Sequence, residues 1–373
     1  MILKQIELKN FRNYENILLN LNDNVNIIIG NNAQGKTNLL ESIYVLSITK
    51  SFREIDDKIL LKEGSKYLRI KGKVVIEESN KNKDLEITIS KKGKKVMLNG
   101  VVVKKISQYI SNLNVIVFSP NDLSIVKGAP SERRKFLNIE LSQLYEEYVN
   151  NLNDYNKILK NRNKYLKSIK NDKYDNHFID IVTNQLIKKA IPIYKYRKKF
   201  LDELTKNIKQ ISNKIFNSDA IKIQYKTSVI IEDMIEEKIK ERLTTKYKKN
   251  ILKEIMLSQT LYGPHRDDFS FFLAEKELKN FGSQGQQRAT ILALKLAEIE
   301  IFSKKKGEYP LVLLDDIFSE LDQKTQNNVF ELINGKGQKI ITTTDLDNID
   351  INKIKNKKVF SINDAKITIE EVK

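Results

Sequence analysis

The sequence predicts an α/β protein: a phosphate-loop fold in two halves, an antiparallel β patch in its first third, and a helical insert between the halves. Three observations carry that expectation. A strand, a glycine loop and a helix follow one another over residues 25–48. A second apolar strand, 311–314, ends on two acids. Between them, from about 133 to 215, glycine is absent and apolar residues recur at helical spacing.

Each element has its own warrant. Residues 2–8 (ILKQIEL) alternate as a strand, and 25–29 (VNIII) form a continuous apolar strand that stops at Gly30. Residues 36–48 repeat apolar positions at helical spacing. Strands at 68–76, 85–90 and 96–103, joined by Gly-, Asn- and Lys-containing turns, give the antiparallel patch. A buried strand at 113–118 closes on Ser119-Pro120. Beyond the insert, 221–231 reads as a return strand and 233–257 as a charged helix. Then come a strong amphipathic helix at 284–303, a helix at 324–334, a strand at 339–344 and a polar strand-like C-terminal piece. The expected division is 1–132 for the first half of the head, 133–218 for a helical arm and 219–373 for the second half.

Composition narrows the function. The chain of 373 residues, 40% hydrophobic, can bury a sizeable core. It has no cysteine, which excludes disulfides, cysteine nucleophiles and cysteine metal sites, and its two histidines argue against a histidine metal centre. No apolar run approaches 18 residues, so no membrane span is expected. The first residues lead straight into a strand pattern without a signal-peptide core, so a cytoplasmic location is expected. Lys plus Arg total 66 against 48 acids, a net charge of +18. Residues 155–215 alone hold sixteen lysines and arginines against five acids, a net +11, with Tyr155, Tyr165, Tyr174, Tyr194 and Tyr196 interleaved. A polyanion partner is one reading and a solvated lysine surface the other. For the tyrosines, core packing competes with stacking on bases.

Two motifs carry chemistry. Gly30-Asn31-Asn32-Ala33-Gln34-Gly35-Lys36-Thr37 fits G-x-x-x-x-G-K-[ST], with the required strand before it and helix after it. Glycines let backbone N–H groups curl around phosphate oxygens, and the helix N-terminus adds a favourable dipole. Lys36 can reach the β- and γ-phosphates of a nucleoside triphosphate, ATP being the expected one, and Thr37 can ligate Mg²⁺. Leu311-Val312-Leu313-Leu314-Asp315-Asp316 supplies the carboxylates such a site needs. Strand alternation separates their directions: Asp315 is assigned to the metal and Asp316 to polarising the attacking water. The competing reading of this pair is a helix cap after a strand.

Three more segments set the subclass. Phe281-Gly282-Ser283-Gln284-Gly285-Gln286-Gln287-Arg288 opens a helix, Ser319-Glu320-Leu321-Asp322 follows the acids, and Thr342-Thr343-Thr344-Asp345 ends a strand. This order resembles the head of ABC-type ATPases, including the chromosome-maintenance (SMC) group. The blocks NFRNY (10–14), GNNAQGKTNLLESI (30–43), KSFR (50–53), FSPNDL (118–123), KGAPSERRKFL (127–137), GPHRDD (263–268), GSQGQQR (282–288) and LLDDIFSELD (313–322) resemble the RecF family of bacterial recombination mediators. The fold class that follows is a P-loop ABC-type ATPase head with an antiparallel β subdomain and an inserted helical arm.

The resemblance implies that Ser283, Gly285 and Gln286 face the γ-phosphate held by a second head, in an ATP-dependent homodimer. It implies binding to duplex DNA near single-strand gaps, and RecR and RecO as partners in loading the RecA recombinase. Asp316 stands where many ABC ATPases have glutamate, which implies slow turnover. No plain Q-loop glutamine follows the 113–118 strand; Asn121 and Asp122 occupy that region. Six of the ten arginines (12, 53, 133, 134, 266 and 288) lie in the quoted blocks, where phosphate pairing and internal salt bridges are both open. A transporter ATPase subunit and a chromosome-organising protein remain the alternatives; the basic insert argues against the first and the lack of a long heptad run against the second.

Overall fold

A computed structural model gives the architecture. It describes all residues except 54–55, 78–80, 170–174, 217–220, 232, 319–320, 346–353, 355 and 371–373, together with the side chains of 214–216. The chain divides into two compact units, one made of residues 1–122, 210–218 and 288–373, the other of 123–209 and 219–287.

In the first unit, β1 (Ile2–Phe11), β2 (Tyr14–Asn20), β3 (Val25–Ile29) and α1 (Lys36–Ile48) open the chain. The antiparallel patch follows as β4 (Tyr67–Ile76), β5 (Lys81–Ser90), β6 (Gly93–Leu98) and β7 (Val101–Val102), then α2 (Ser107–Ile110) and β8 (Val115–Phe118). One sheet has the order β2-β1-β4-β5-β6-β7, antiparallel throughout. Strand β2 escaped sequence reading because YENILLN lacks clean alternation. Helix α1 packs on both β1, β4, β5 and the parallel sheet described below. Eleven of its thirteen residues are buried, so it is enclosed nearly all round rather than on one side.

The second unit begins with α3 (Leu123–Lys127), α4 (Pro130–Leu144), α5 (Glu146–Ser168) and α6 (Asn176–Phe216), the last running through Pro192 and counted with the first unit from Gln210 on. Then come β9 (Lys222–Lys226), α7 (Glu236–Met256), β10 (Asp268–Leu273), β11 (Lys276–Glu277) and α8 (Leu278–Phe281). The strands form a small antiparallel sheet, β11-β10-β9. This unit reaches beyond the arm expected at 133–218, because β9 pairs with β10, α7 packs on α5, and β10 packs on α4. The expected return strand at 221–231 stops at Lys226; residues after it form a loop.

The remaining elements are α9 (Gln284–Lys306), β12 (Leu311–Asp315), α10 (Gln323–Ile333), β13 (Lys339–Thr343), β14 (Lys357–Asn363) and β15 (Lys366–Glu370). The second sheet of the first unit has the order β15-β14-β3-β13-β12-β8. The five strands from β14 to β8 are parallel, and β15 adds antiparallel at the edge beyond β14. All residues of β12, β13 and β8 are buried, as expected of parallel strands covered on both faces. This sheet brings the C-terminal ends of β3, β12 and β13 side by side, where a doubly covered parallel sheet places its ligands.

Candidate nucleotide site

The phosphate loop leaves β3 at Gly30 and enters α1 at Lys36. Gly35 has φ 116°, and a Cβ there would lie 2.7 Å from Asn13 Nδ2 and 2.9 Å from the Tyr14 hydroxyl. Only glycine makes this turn without strain. A Cβ on Gly30 would meet Ile362 O at 2.5 Å. Ala33 is also left-handed, at φ 66°. No side chain caps α1, and no acid sits in its first turn, so its leading N–H groups face outward beside exposed Asn31, Asn32 and Ala33. An uncapped helix N-terminus of this kind suits an anion.

Lys36 is buried, and its Nζ donates to Gly30 O at 2.5 Å and Asn31 O at 3.0 Å. Burial lowers its pKa, an effect opposed by the negative charges of Asp316 and Asp315. The Thr37 hydroxyl donates to Asp315 Oδ1 at 2.9 Å. Thr342 Oγ1 lies 3.1 Å from the same oxygen and accepts from the Asp316 N–H at 3.0 Å. Burial pushes the Asp315 carboxyl above the usual range; hydrogen bonds from Thr37 and Thr342 and the charge of Arg53 pull it back. Asp315 ends β12, whereas Asp316 has left the strand and holds φ 51°. Strand alternation, the expected basis of their separate directions, therefore does not extend to Asp316.

A second layer fixes the loop. The Tyr14 hydroxyl donates to Gly35 O at 2.9 Å, and burial raises its pKa far above the ordinary phenol value. Gln34 Oε1 accepts from the Asp364 N–H at 2.6 Å, and Gln34 O from the Ala365 N–H at 3.3 Å. The β14–β15 turn therefore leans on the phosphate loop. Arg12 grips buried Glu41 with Nε and Nη2 at 2.9 and 3.0 Å, and Ser51 Oγ donates to Glu41 at 2.5 Å.

The signature residues belong to the other unit's end of α9. Ser283, Gly285 and Gln286 are exposed. Ser283 Oγ accepts from the Gln286 N–H at 3.2 Å, while Gln286 Oε1 accepts from the Ser283 N–H at 2.9 Å. The motif is thus a reciprocal capping box that satisfies two orphan donors. Gln287 is buried and donates to Leu278 O at 2.8 Å, tying α9 to α8. Downstream of the acids, Asp322 caps α10 through the Thr325 N–H at 2.9 Å; Ser319 and Glu320 lie outside the described residues. In the 342–345 segment, Thr343 Oγ1 donates to Asp345 O at 2.7 Å.

Several open readings now resolve. Asp122 Oδ2 accepts the Ser119 N–H at 2.7 Å, and its Oδ1 lies 3.8 Å from Lys295 Nζ. Arg133 pairs bidentately with Asp268 at 2.5 and 2.9 Å, Arg134 donates to Asp267 O at 2.9 Å, and Arg266 to Gln259 at 2.7 Å. Arg197 is buried on Asp267, at 3.0 Å, and on Pro264 O and Asn138. Internal pairing explains these arginines. Tyr155 and Tyr194 are buried, Tyr196 packs on Tyr145 and Tyr148, and Tyr165 on Phe178, so these four serve packing; Tyr174 lies outside the described residues. Lysines 157, 160, 164, 167, 188 and 199 are exposed on α5 and α6.

Among the described residues no group of three or more His, Cys, Asp or Glu side chains could hold a metal alone. The pair Thr37 Oγ1 and Asp315 fits a magnesium ion whose other ligands are phosphate and water oxygens.

The family model of the RecF/RecN/SMC N terminal domain matches residues 2–368. The chain is 43% identical over 373 residues to the DNA replication and repair protein RecF of Bacillus cereus strain G9842, covering 99% of each. The solved structure of the recombination mediator protein RecF-ATP in the RecFOR pathway is similar at a TM-score of 0.92 and 32% identity, covering 99% of this chain and 98% of that one. The Pyrococcus furiosus Smc head domain bound to the C-terminal domain of ScpA shares the fold at a TM-score of 0.55 and 15% identity, covering 99% and 96%.

Proposed function

Because the chain belongs to the RecF/RecN/SMC N-terminal-domain family, we propose that it is an ATP-switched, DNA-binding protein of recombinational repair and replication-fork maintenance. Its relatives are named DNA replication and repair proteins, which supports that role. The observation that carries the nucleotide part is the Thr37–Asp315 hydrogen bond of 2.9 Å, which joins two motifs 278 residues apart in one site.

Roles follow from position. Backbone N–H groups of residues 31–36 cradle phosphate oxygens, and Lys36 leaves the carbonyls of Gly30 and Asn31 to neutralise the β- and γ-phosphates. Thr37 and Asp315 would hold Mg²⁺, which supplies charge neutralisation on the phosphates. Asp316 orients and polarises the water for in-line attack at the γ-phosphate, and its short side chain makes hydrolysis slow. Ser283, Gly285 and Gln286 meet the phosphate bound by a second copy, so that ATP closes a homodimer and hydrolysis opens it. The exposed lysines of α5 and α6 contact DNA phosphates without reading sequence. Duplex near single-strand gaps is the substrate. DNA-stimulated turnover, RecO and RecR as partners, RecA loading in support of the SOS response, and a cytoplasmic location complete the reading.

Fluorescence anisotropy on duplex, single-stranded and gapped DNA, with and without ATP and magnesium, tests it. The expected result is an ATP-dependent gain of at least about tenfold on duplex-containing DNA, abolished by Lys36→Ala. Affinity indifferent to ATP and to Lys36 would reject the switch and leave only a passive basic surface.

A further inference from the structure

Strand β9 is the edge of its sheet, hydrogen-bonded to β10 on one side only. A groove of about 1320 Å³ lies beside it, lined by the consecutive residues Ile223, Gln224, Tyr225, Lys226 and Thr227. Successive side chains of a strand point to opposite faces. A groove reached by all of them therefore runs along the strand's edge, where the outward N–H and C=O groups stand. Edge strands usually protect that row with charged side chains. Here Lys222 pairs with Glu275 at 3.0 Å, and Lys226, which also lines the groove, with Glu277 at 3.1 Å, both beside β11.

The walls are preformed. Helix α6 supplies Lys198 and Leu201, and α7 supplies Arg242, Lys246 and Lys249. Arg242 donates to Ile230 O at 2.7 Å and Lys246 to Ser228 O, which braces the loop after β9. That loop presents Ile230 with 61% of its surface exposed. Five cations and two carboxylates, Asp202 and Glu241, line the groove. Lys198 pairs with Asp202, Lys226 with Glu277 and Arg242 with Asp233, which leaves Lys246 and Lys249 without an ion pair among the described residues.

We propose that this groove is a docking site for an extended acidic protein segment, which adds to β9 as a fourth strand. Backbone pairing along five residues spans roughly 17 Å and supplies affinity, while the cationic rim and Ile230 select an acidic segment with apolar residues at alternate positions. A strand edge offers donors and acceptors at peptide spacing, which a sugar-phosphate chain does not match. Docking here uses none of the nucleotide-site residues and goes beyond the proposed function.

The test uses the full chain without nucleotide and a fluorescein-labelled alternating glutamate–valine octapeptide. Expected are saturable binding, slowed amide exchange in residues 222–227, and a loss of about tenfold or more when a central proline removes one peptide N–H. Lys249→Glu and Ile230→Asp, both at solvent-facing positions that leave the melting curve unchanged, should each weaken binding. Absence of binding, equal binding of the proline peptide, or stronger occupancy by an oligothymidylate competitor would overturn the proposal.

Discussion

His265 lies in the GPHRDD turn, enclosed between Tyr155 and Thr260. Nε2 lies 3.0 Å from Thr260 O, which can only accept, so Nε2 carries a proton; the Tyr155 hydroxyl, 2.6 Å from Nδ1, donates to that nitrogen when the ring is neutral. Burial lowers its pKa to about 4, against the opposing Thr260 hydrogen bond and with help from Arg266, Arg134 and Arg197. The native state therefore resists a proton that the unfolded chain accepts near 6.5. Stability should fall as pH drops from about 6.5 towards 4 and level off below, by up to roughly 3 kcal/mol from this group. Urea unfolding of wild type and His265→Gln across that window measures it: the variant's profile should be flatter, and parallel profiles would reject the assignment. The residue is thus a structural neutral histidine, as a lone histidine in a turn most simply reads.

At the scale of the element, helix α9 begins with a motif that caps the helix and, in the proposed function, also meets the nucleotide of a second copy. Its serine–glutamine box would be there to start a helix even without a nucleotide. Ser283→Asp separates the two, because aspartate is an equally good N-cap and suits the helix dipole. Unfolding free energy should change by less than about 0.5 kcal/mol, while ATP-driven dimerisation, followed by light scattering, should be lost to charge repulsion at the phosphate. Retained dimerisation would reduce the signature to a cap. Elements such as β3, α1, β12 and β13 were legible in sequence because their burial is local and continuous. Strands β2 and β10 were not, since their pairing partners rather than their own alternation define them. The site shows the same divide. Residues 30–37 and the acids at 315–316 are contiguous motifs, whereas Tyr14 on Gly35 and the β14–β15 turn on Gln34 join positions up to 330 apart and leave no local signal. Nor does sequence announce the left-handed turn at Asp316, because aspartate is common both there and in strand ends.

For the whole molecule, net charge and nucleotide switching should contribute to DNA binding in separable ways. A formal charge of +18, with lysine supplying most of the cations, gives a field that attracts any polyanion. Its signature is a linear fall of log affinity with log salt, about −0.9 for each phosphate neutralised on duplex DNA. A clamp that closes in ATP should engage more phosphates than one open chain, so the slope itself should steepen when ATP is added. With six to ten contacts the closed form would show a slope of roughly −5 to −9. Lys36→Ala and Ser283→Asp should both hold the shallower slope in ATP, while wild type moves to the steeper one. Titrations of a gapped duplex over a series of salt concentrations give all the slopes. A slope that ATP leaves unchanged, with affinity still rising, would mean that the nucleotide alters orientation or partner contacts without enlarging the phosphate footprint. The clamp would then have to be abandoned in favour of a single head that ATP merely reshapes.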